Sequence, residues 1–176
     1  MARGNEITNS AFTEMLPPSV SFSSPKEGVS YEVFISHRGP DTKETLAASI
    51  YHALKLMGLQ VFLDKPEFEL GNSIPSKILE AICTSFLHVA ILSPGYAEST
   101  WCLEELSLML KTGQTIIPVF YNVNPSDIHW ISKEPFAEAF CKHEATKRYS
   151  PEKVKDWKSA LQQVSYLIGP IVNSEE

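Results

Sequence analysis

Two side chains that sit four residues apart, Trp101 and Glu105, could do chemistry within the stretch Ser93-Pro94-Gly95-Tyr96-Ala97-Glu98-Ser99-Thr100-Trp101-Cys102-Leu103-Glu104-Glu105-Leu106. At i and i+4 of a helix they share one face. An aromatic plate beside a carboxylate at the rim of a sheet suits a flat, cationic ring, because the ring stacks while the carboxylate meets its charge. Ser99 or Thr100 can cap the helix, and Glu104 and Glu105 lie near its start, where the helix dipole favours negative charge. The same spacing also describes an ordinary capped amphipathic helix with Trp101 in the core, and on pattern alone that arrangement is the commoner one.

The elements that must hold these residues follow from the apolar runs. Residues 31–36, 59–63, 88–92 and 115–121 are short, continuous and β-prone. Helical patterns separate them, over about 42–57 with Leu46, Ile50, Leu54 and Met57 on one stripe, and around Ile74, Ile78, Ala81 and Ile82. Asp41 is placed to cap the first helix and Gly58 to end it. Pro118 within the fourth run calls for a position near a sheet edge or a bulge. Residues 122–127 read as a turn, 136–145 and 154–167 as helices, and Gly169-Pro170 as a break. Strand and helix in alternation imply right-handed crossovers and an α/β fold, its mostly parallel sheet covered by helices on both faces. In such a sheet, sites form beyond the carboxyl ends of the strands, which would gather residues 37–41, 64–71 and 93–105.

Composition narrows the function classes. A chain of 176 residues with 43% hydrophobic residues fits one domain with extra length at its ends. A net charge of −6 gives no general attraction for nucleic acid. Three widely spaced cysteines point to reduced thiols and a cytoplasmic setting, with the nucleus as a second location. Cys102 reads as a small packing residue. No run approaches a membrane span, and the five histidines and three cysteines lack metal-ligand spacing, so neither membrane nor metal is expected. There is no Gly-rich phosphate loop of the dehydrogenase or P-loop type. Residues 1–30, rich in Asn, Ser, Thr, Gly and Pro, read as a flexible leader, 31–170 as the domain, and 171–176 as a short tail.

With these motifs in order, residues 31–169 resemble a plant Toll/interleukin-1 receptor (TIR) domain. Tyr31 to Thr42 matches that family's first-strand signature. Ser93 to Leu106 matches its Tyr-Ala-x-Ser-x-Trp-Cys-Leu-x-Glu-Leu segment, and Ile117 to Tyr121 with Asn124-Pro125-Ser126 its fourth-strand box. The resemblance implies a flavodoxin-like, three-layer fold with five parallel strands. It also implies NAD nucleosidase activity that opens on self-association, with NAD or NADP as substrate, no cofactor, and a role in immune signalling. Glu105 matches the catalytic glutamate, and Ser99 and Trp101 match ligand-side positions. Arg38 and Gly39 could meet phosphate through guanidinium and backbone donors, although a structural ion pair from Arg38 to Asp41 or Asp64 has nearly equal weight. Glu104 points about a hundred degrees around the helix from Glu105 and reads as solvent-facing.

Departures from the family pattern leave a second function in view. His37 replaces a common Phe, Asp64-Lys65 stands where paired acids are usual, and Ala48-Ser49 aligns with a Ser-His self-association pair. The usual last helix is not found after Gly169, which bears on self-association, and with no nucleotide-binding or leucine-rich-repeat region following, the sequence reads as a TIR-only or truncated form. The alternative is a non-catalytic adaptor that pairs with other TIR domains. Processing of RNA or DNA, known for some plant members, gains no support from an acidic chain.

Overall fold

The computed structural model describes residues 31–42, 46–63, 74–131 and 133–174. The four apolar runs become strands β1 (Val33–His37), β2 (Val61–Leu63), β3 (Leu87–Leu92) and β4 (Thr115–Tyr121). A fifth, β5 (Ile171–Val172), lies in the stretch read from sequence as a tail, so part of that tail completes the sheet. All strand pairs are parallel, in the order β2-β1-β3-β4-β5. Among the described residues seven helices accompany them: α1 (Gly39–Thr42), α2 (Ala48–Leu56), α3 (Ser76–Thr84), α4 (Thr100–Thr112), α5 (Pro125–His129), α6 (Phe136–Thr146) and α7 (Pro151–Ser165).

Side-chain alternation along the strands sorts the core into two layers. Phe34, Leu92 and Phe120 face the larger one and meet Ile82 of α3, Leu103 and Leu106 of α4 and Trp157 of α7. Val33, Ile35, Val89 and Val119 face the other and meet Ile50 and Leu54 of α2. Both faces of the sheet are thus covered, as expected for a three-layer α/β fold. Burying each such Phe, Leu or Ile contributes about 1.5–3 kcal/mol, which explains why Val33, Phe34 and Ile35 of β1, buried on both faces of the sheet, form a continuous apolar run ahead of Ser36.

Pro118 fits because of its parity. The Phe120 N–H donates to the Pro170 carbonyl at 2.9 Å, so the Pro118 nitrogen, two residues earlier, faces the same side before β5 begins, and no ladder bond is lost there.

Several local readings need correction. Asp41 does not cap the helix over 42–57: it lies inside the short α1, with its carboxylate turned to other partners. Met57 is 76% exposed just beyond α2 and leaves the packing stripe, while Gly58 at φ +88° does end the helix. Residues 124–127 are not a free turn but the capping box that opens α5, with Asn124 as cap and Asp127 reaching back to the Asn124 N–H at 3.1 Å.

Candidate active site at the carboxyl edge of the sheet

Register places the carboxyl ends of β1 and β3 side by side, Ser36 opposite Ala90 and His37 opposite Ile91. The chain leaving β3 turns through a 3₁₀ segment, Tyr96–Glu98, and enters α4 at Ser99. Ser99 is the cap: its hydroxyl accepts from the Cys102 N–H at 3.4 Å, settling the choice between Ser99 and Thr100. One turn further along α4, the Glu105 carboxylate points back at β1. It is 2% exposed, and Ser36 donates its hydroxyl proton to Oε2 at 2.6 Å. The Tyr96 hydroxyl lies 2.8 Å from Ser36 Oγ and donates to the Cys102 carbonyl at 3.1 Å. Burial pushes the Tyr96 phenol well above its ordinary value of 10, and nearby Cys102 and Glu105 push it further, against a smaller opposing effect of the Ser36 bond.

The loop between β3 and α4 is tied down from two directions. Asp41 accepts from Ser93 Oγ at 2.5 Å and from the Gly95 N–H at 3.1 Å, while its second oxygen accepts from Arg38 at 2.5 Å. Arg38 also bonds Glu98 at 2.7 Å, so its guanidinium spans the loop. From the far side, His143 of α6 meets the Ala97 carbonyl at 2.7 Å, and since a carbonyl only accepts, the His143 proton sits on Nε2. A buried carboxylate is thus held at the end of a parallel strand, under a loop fastened by side chains from α1 and α6. Such a group can stabilise positive charge that develops on a bound substrate.

The family model described as TIR domain matches residues 30–175. The chain belongs to the TIR-domain family. Among curated relatives, it is 36% identical over 151 residues to TMV resistance protein N of Nicotiana glutinosa, covering 84% of this chain and 13% of that protein. It is 37% identical over 139 residues to the probable 2' cyclic ADP-D-ribose synthase BdTIR of Brachypodium distachyon, covering 79% of this chain and 58% of that protein. The chain therefore spans less than two thirds of the length of either relative. Among solved structures it superposes on the TIR domains of the activated Roq1 resistosome that directly recognizes the pathogen effector XopQ. That match has a TM-score of 0.71 and 37% identity, and covers 81% of this chain and 88% of that one.

Within this TIR domain the residues singled out from sequence fall into three groups. Glu105 and Ser99 share α4 and its cap, and Trp101 lies one turn before Glu105, half-buried rather than part of the core. Arg38 lies in the adjoining loop, where its ion pairs are with Asp41 and Glu98, and Gly39 is buried at the start of α1. Asp64, Lys65 and Gly71 fall outside the described residues, as does the leader 1–30. Glu104 is not simply solvent-facing: it pairs with Lys153 of α7 at 2.6 Å and pins α4 to that helix. Cys102 packs as expected, buried with its thiol 3.5 Å from the His37 carbonyl. Sequence reading missed Ser36, Tyr96 and His143. Ser36 carried a signal as the polar residue closing an apolar run, and Tyr96 as the first residue of the matched Tyr-Ala-x-Ser segment. Among the described residues there is no metal-binding cluster, and no helix is long and apolar enough to cross a membrane.

Proposed function

We propose that this TIR domain is an NAD nucleosidase acting in plant defence signalling, with Glu105 as its catalytic residue and NAD or NADP as substrate. The observation that carries the reading is the Glu105 carboxylate, buried and oriented by Ser36 at the carboxyl end of β1. In the reaction the bond from ribose C1′ to the nicotinamide nitrogen breaks, and its electron pair leaves with the ring, which becomes neutral without needing a proton. Positive charge passes to the ribose, where a fixed carboxylate stabilises it and binds ribose hydroxyls. Water or a hydroxyl of the same molecule then adds to C1′ and releases one proton, giving ADP-ribose or a cyclic form. The similarity to a probable cyclic ADP-ribose synthase supports this chemistry. Half-buried Trp101 offers a stacking face for the departing ring, Ser99 and Gly39 line the approach, and Arg38 meets phosphate by exchanging a carboxylate partner. The test is nicotinamide release by concentrated protein beside Glu105→Ala, with circular dichroism on both. Activity lost only in the variant supports the assignment, and equal activity removes it.

A second reading, association with other TIR domains, rests on a different observation. Trp130, Tyr166 and Ile168 are 62%, 74% and 98% exposed, and the His129 ring bridges Trp130 and Tyr166 with centroids 4.8 and 4.7 Å away. An apolar band of this kind fits a protein partner, and the likeness to TIR domains of a resistosome supports it. Sedimentation of wild type against Ile168→Glu tests it: a dissociable assembly lost in the variant is expected, and a concentration-independent monomer in both counts against it.

A further inference from the structure

The Ser36 hydroxyl has one proton and faces two oxygens, Glu105 Oε2 at 2.6 Å and the Tyr96 hydroxyl at 2.8 Å. Because that proton goes to the carboxylate, the proton in the second contact comes from Tyr96. The Tyr96 O–H is then shared between Ser36 Oγ and the Cys102 carbonyl at 3.1 Å. Three elements meet at this one phenol: the 3₁₀ segment that carries Tyr96, the end of β1 and the first turn of α4. Tyr96 and Ser36 are both fully buried, so no bulk water competes for the shared proton.

We propose that Tyr96 is a positioning residue for Glu105, acting through Ser36. A serine hydroxyl rotates among three staggered positions. Donation from Tyr96 to one lone pair of Ser36 Oγ holds the rotor where its own proton meets Oε2, which fixes the carboxylate in the direction the substrate requires. Burial keeps the phenol protonated across the working pH range, so it acts as a donor throughout. The network also ties the loop to the carboxylate, since any shift of the 3₁₀ segment moves Tyr96, then Ser36, then Glu105.

The inference rests on the nucleosidase reading for its kinetic test, and a second measurement stands apart from that reading. In wild type, Tyr96→Phe, Ser36→Ala and the double variant, nicotinamide release gives kcat and KM separately. Losing the hydrogen bond that orients Ser36, worth about 1.4 kcal/mol, is expected to lower kcat about tenfold in Tyr96→Phe with KM nearly unchanged. The double variant is expected to be no slower than Ser36→Ala. Unchanged kcat in Tyr96→Phe, or effects that multiply in the double variant, would overturn the proposal. Independently of turnover, the carboxyl-carbon NMR signal of Glu105, assigned by its loss in Glu105→Gln, is expected to move in Tyr96→Phe and in Ser36→Ala, and adding Tyr96→Phe to Ser36→Ala is expected to move it no further. A signal unmoved by Tyr96→Phe overturns the proposal whether or not the protein is active. An inactive wild type with a moved signal counts only against the nucleosidase reading. Should Tyr96→Phe not fold, 3-fluorotyrosine at position 96 keeps the hydroxyl and sharpens its acidity, and the same signal decides: movement supports the role and no movement overturns it.

Discussion

Ser36 and Glu105, 69 residues apart in sequence, meet across 2.6 Å where β1 ends and α4 begins. The bond joins a strand end to a helix and places a carboxylate where water is nearly excluded. Burying a charged group costs stability unless its partners compensate, so the site trades stability for a fixed charge. Glu105→Gln keeps the side-chain shape and removes the charge. It is expected to lower nicotinamide release about a hundredfold or more, while the urea midpoint stays the same or rises. A variant that is both inactive and clearly less stable would show that the carboxylate serves the fold.

Asp41 makes the opposite kind of contribution. It accepts from Ser93, Gly95 and Arg38, so it holds the loop that leads to α4. Asp41→Ala leaves these donors without their acceptor and detaches Arg38 from α1. A loss of about 1–3 kcal/mol in urea unfolding is expected, with faster hydrogen exchange at the Gly95 and Tyr96 amides. Unchanged exchange at both would mean that the loop is held by its other contacts.

Arg38 already holds two carboxylates, so a phosphate at its guanidinium competes with them for its charge. Of its two partners, Glu98 is the more exposed, with 44% of its side chain accessible against 19% for Asp41. Releasing it should therefore be cheap, and Glu98→Gln is expected to lower KM for NAD about twofold to fivefold, the scale of an exposed ion pair. Arg38→Ala should raise KM. If Glu98→Gln leaves KM unchanged while Arg38→Ala raises it, the Glu98 pair does not hold the arginine back.

How much of this could be read from the chain depended on sequence distance. A cap at Ser99 or Thr100 and Glu105 on the helix it opens were legible because capping and helical spacing act within a few residues. Strands β1 to β4 were legible because each contains a short continuous apolar run. Tyr96 and Ser36 were not legible together, because their contact spans 60 residues and depends on the register of β1 beside β3. Asp41 was misread for a related reason: it has the chemistry of a helix cap, yet a partner 52 residues away takes its carboxylate. The two residues of β5 are too few to show a strand period, and only their pairing with Phe120 and Tyr121 reveals them.

Acid is expected to weaken the fold through His88. This residue is fully buried on β3 and donates Nε2–H to the Ile82 carbonyl at 2.9 Å. Burial lowers its pKa below 6.5, with the backbone bond opposing more weakly. The unfolded chain therefore takes up a proton at a higher pH than the folded one, and stability rises with pH across that window. The contribution is complete above about 6.5 and is lost as pH falls toward the folded value. Urea midpoints should hold steady above neutrality and drop below it, and His88→Gln should flatten that drop. An equal drop in the variant would assign the acid sensitivity to other groups.

Gly169 carries the last expectation, because the reason for glycine there is space rather than backbone freedom. A Cβ at this position would run into the Pro118 backbone carbonyl and the Pro118 ring. Pro118 cannot yield easily, since β4 is held in register by β3 along its length. The alternative is to displace residues 169–170, which breaks the bond from the Phe120 N–H to the Pro170 carbonyl and unseats β5. Gly169→Ala is therefore expected to cost about 1–3 kcal/mol, as overpacking does. At roughly 2–4 °C per kcal/mol for a chain of this size, melting should fall by several degrees. Gly58→Ala is the contrasting case: its Cβ would meet nothing within 4 Å, but its φ of +88° penalises any side chain. If crowding is the cause at Gly169, the amide of Phe120 should lose protection there and keep it in Gly58→Ala. Equal protection in both variants would mean that β5 adjusts to the added methyl without leaving the sheet.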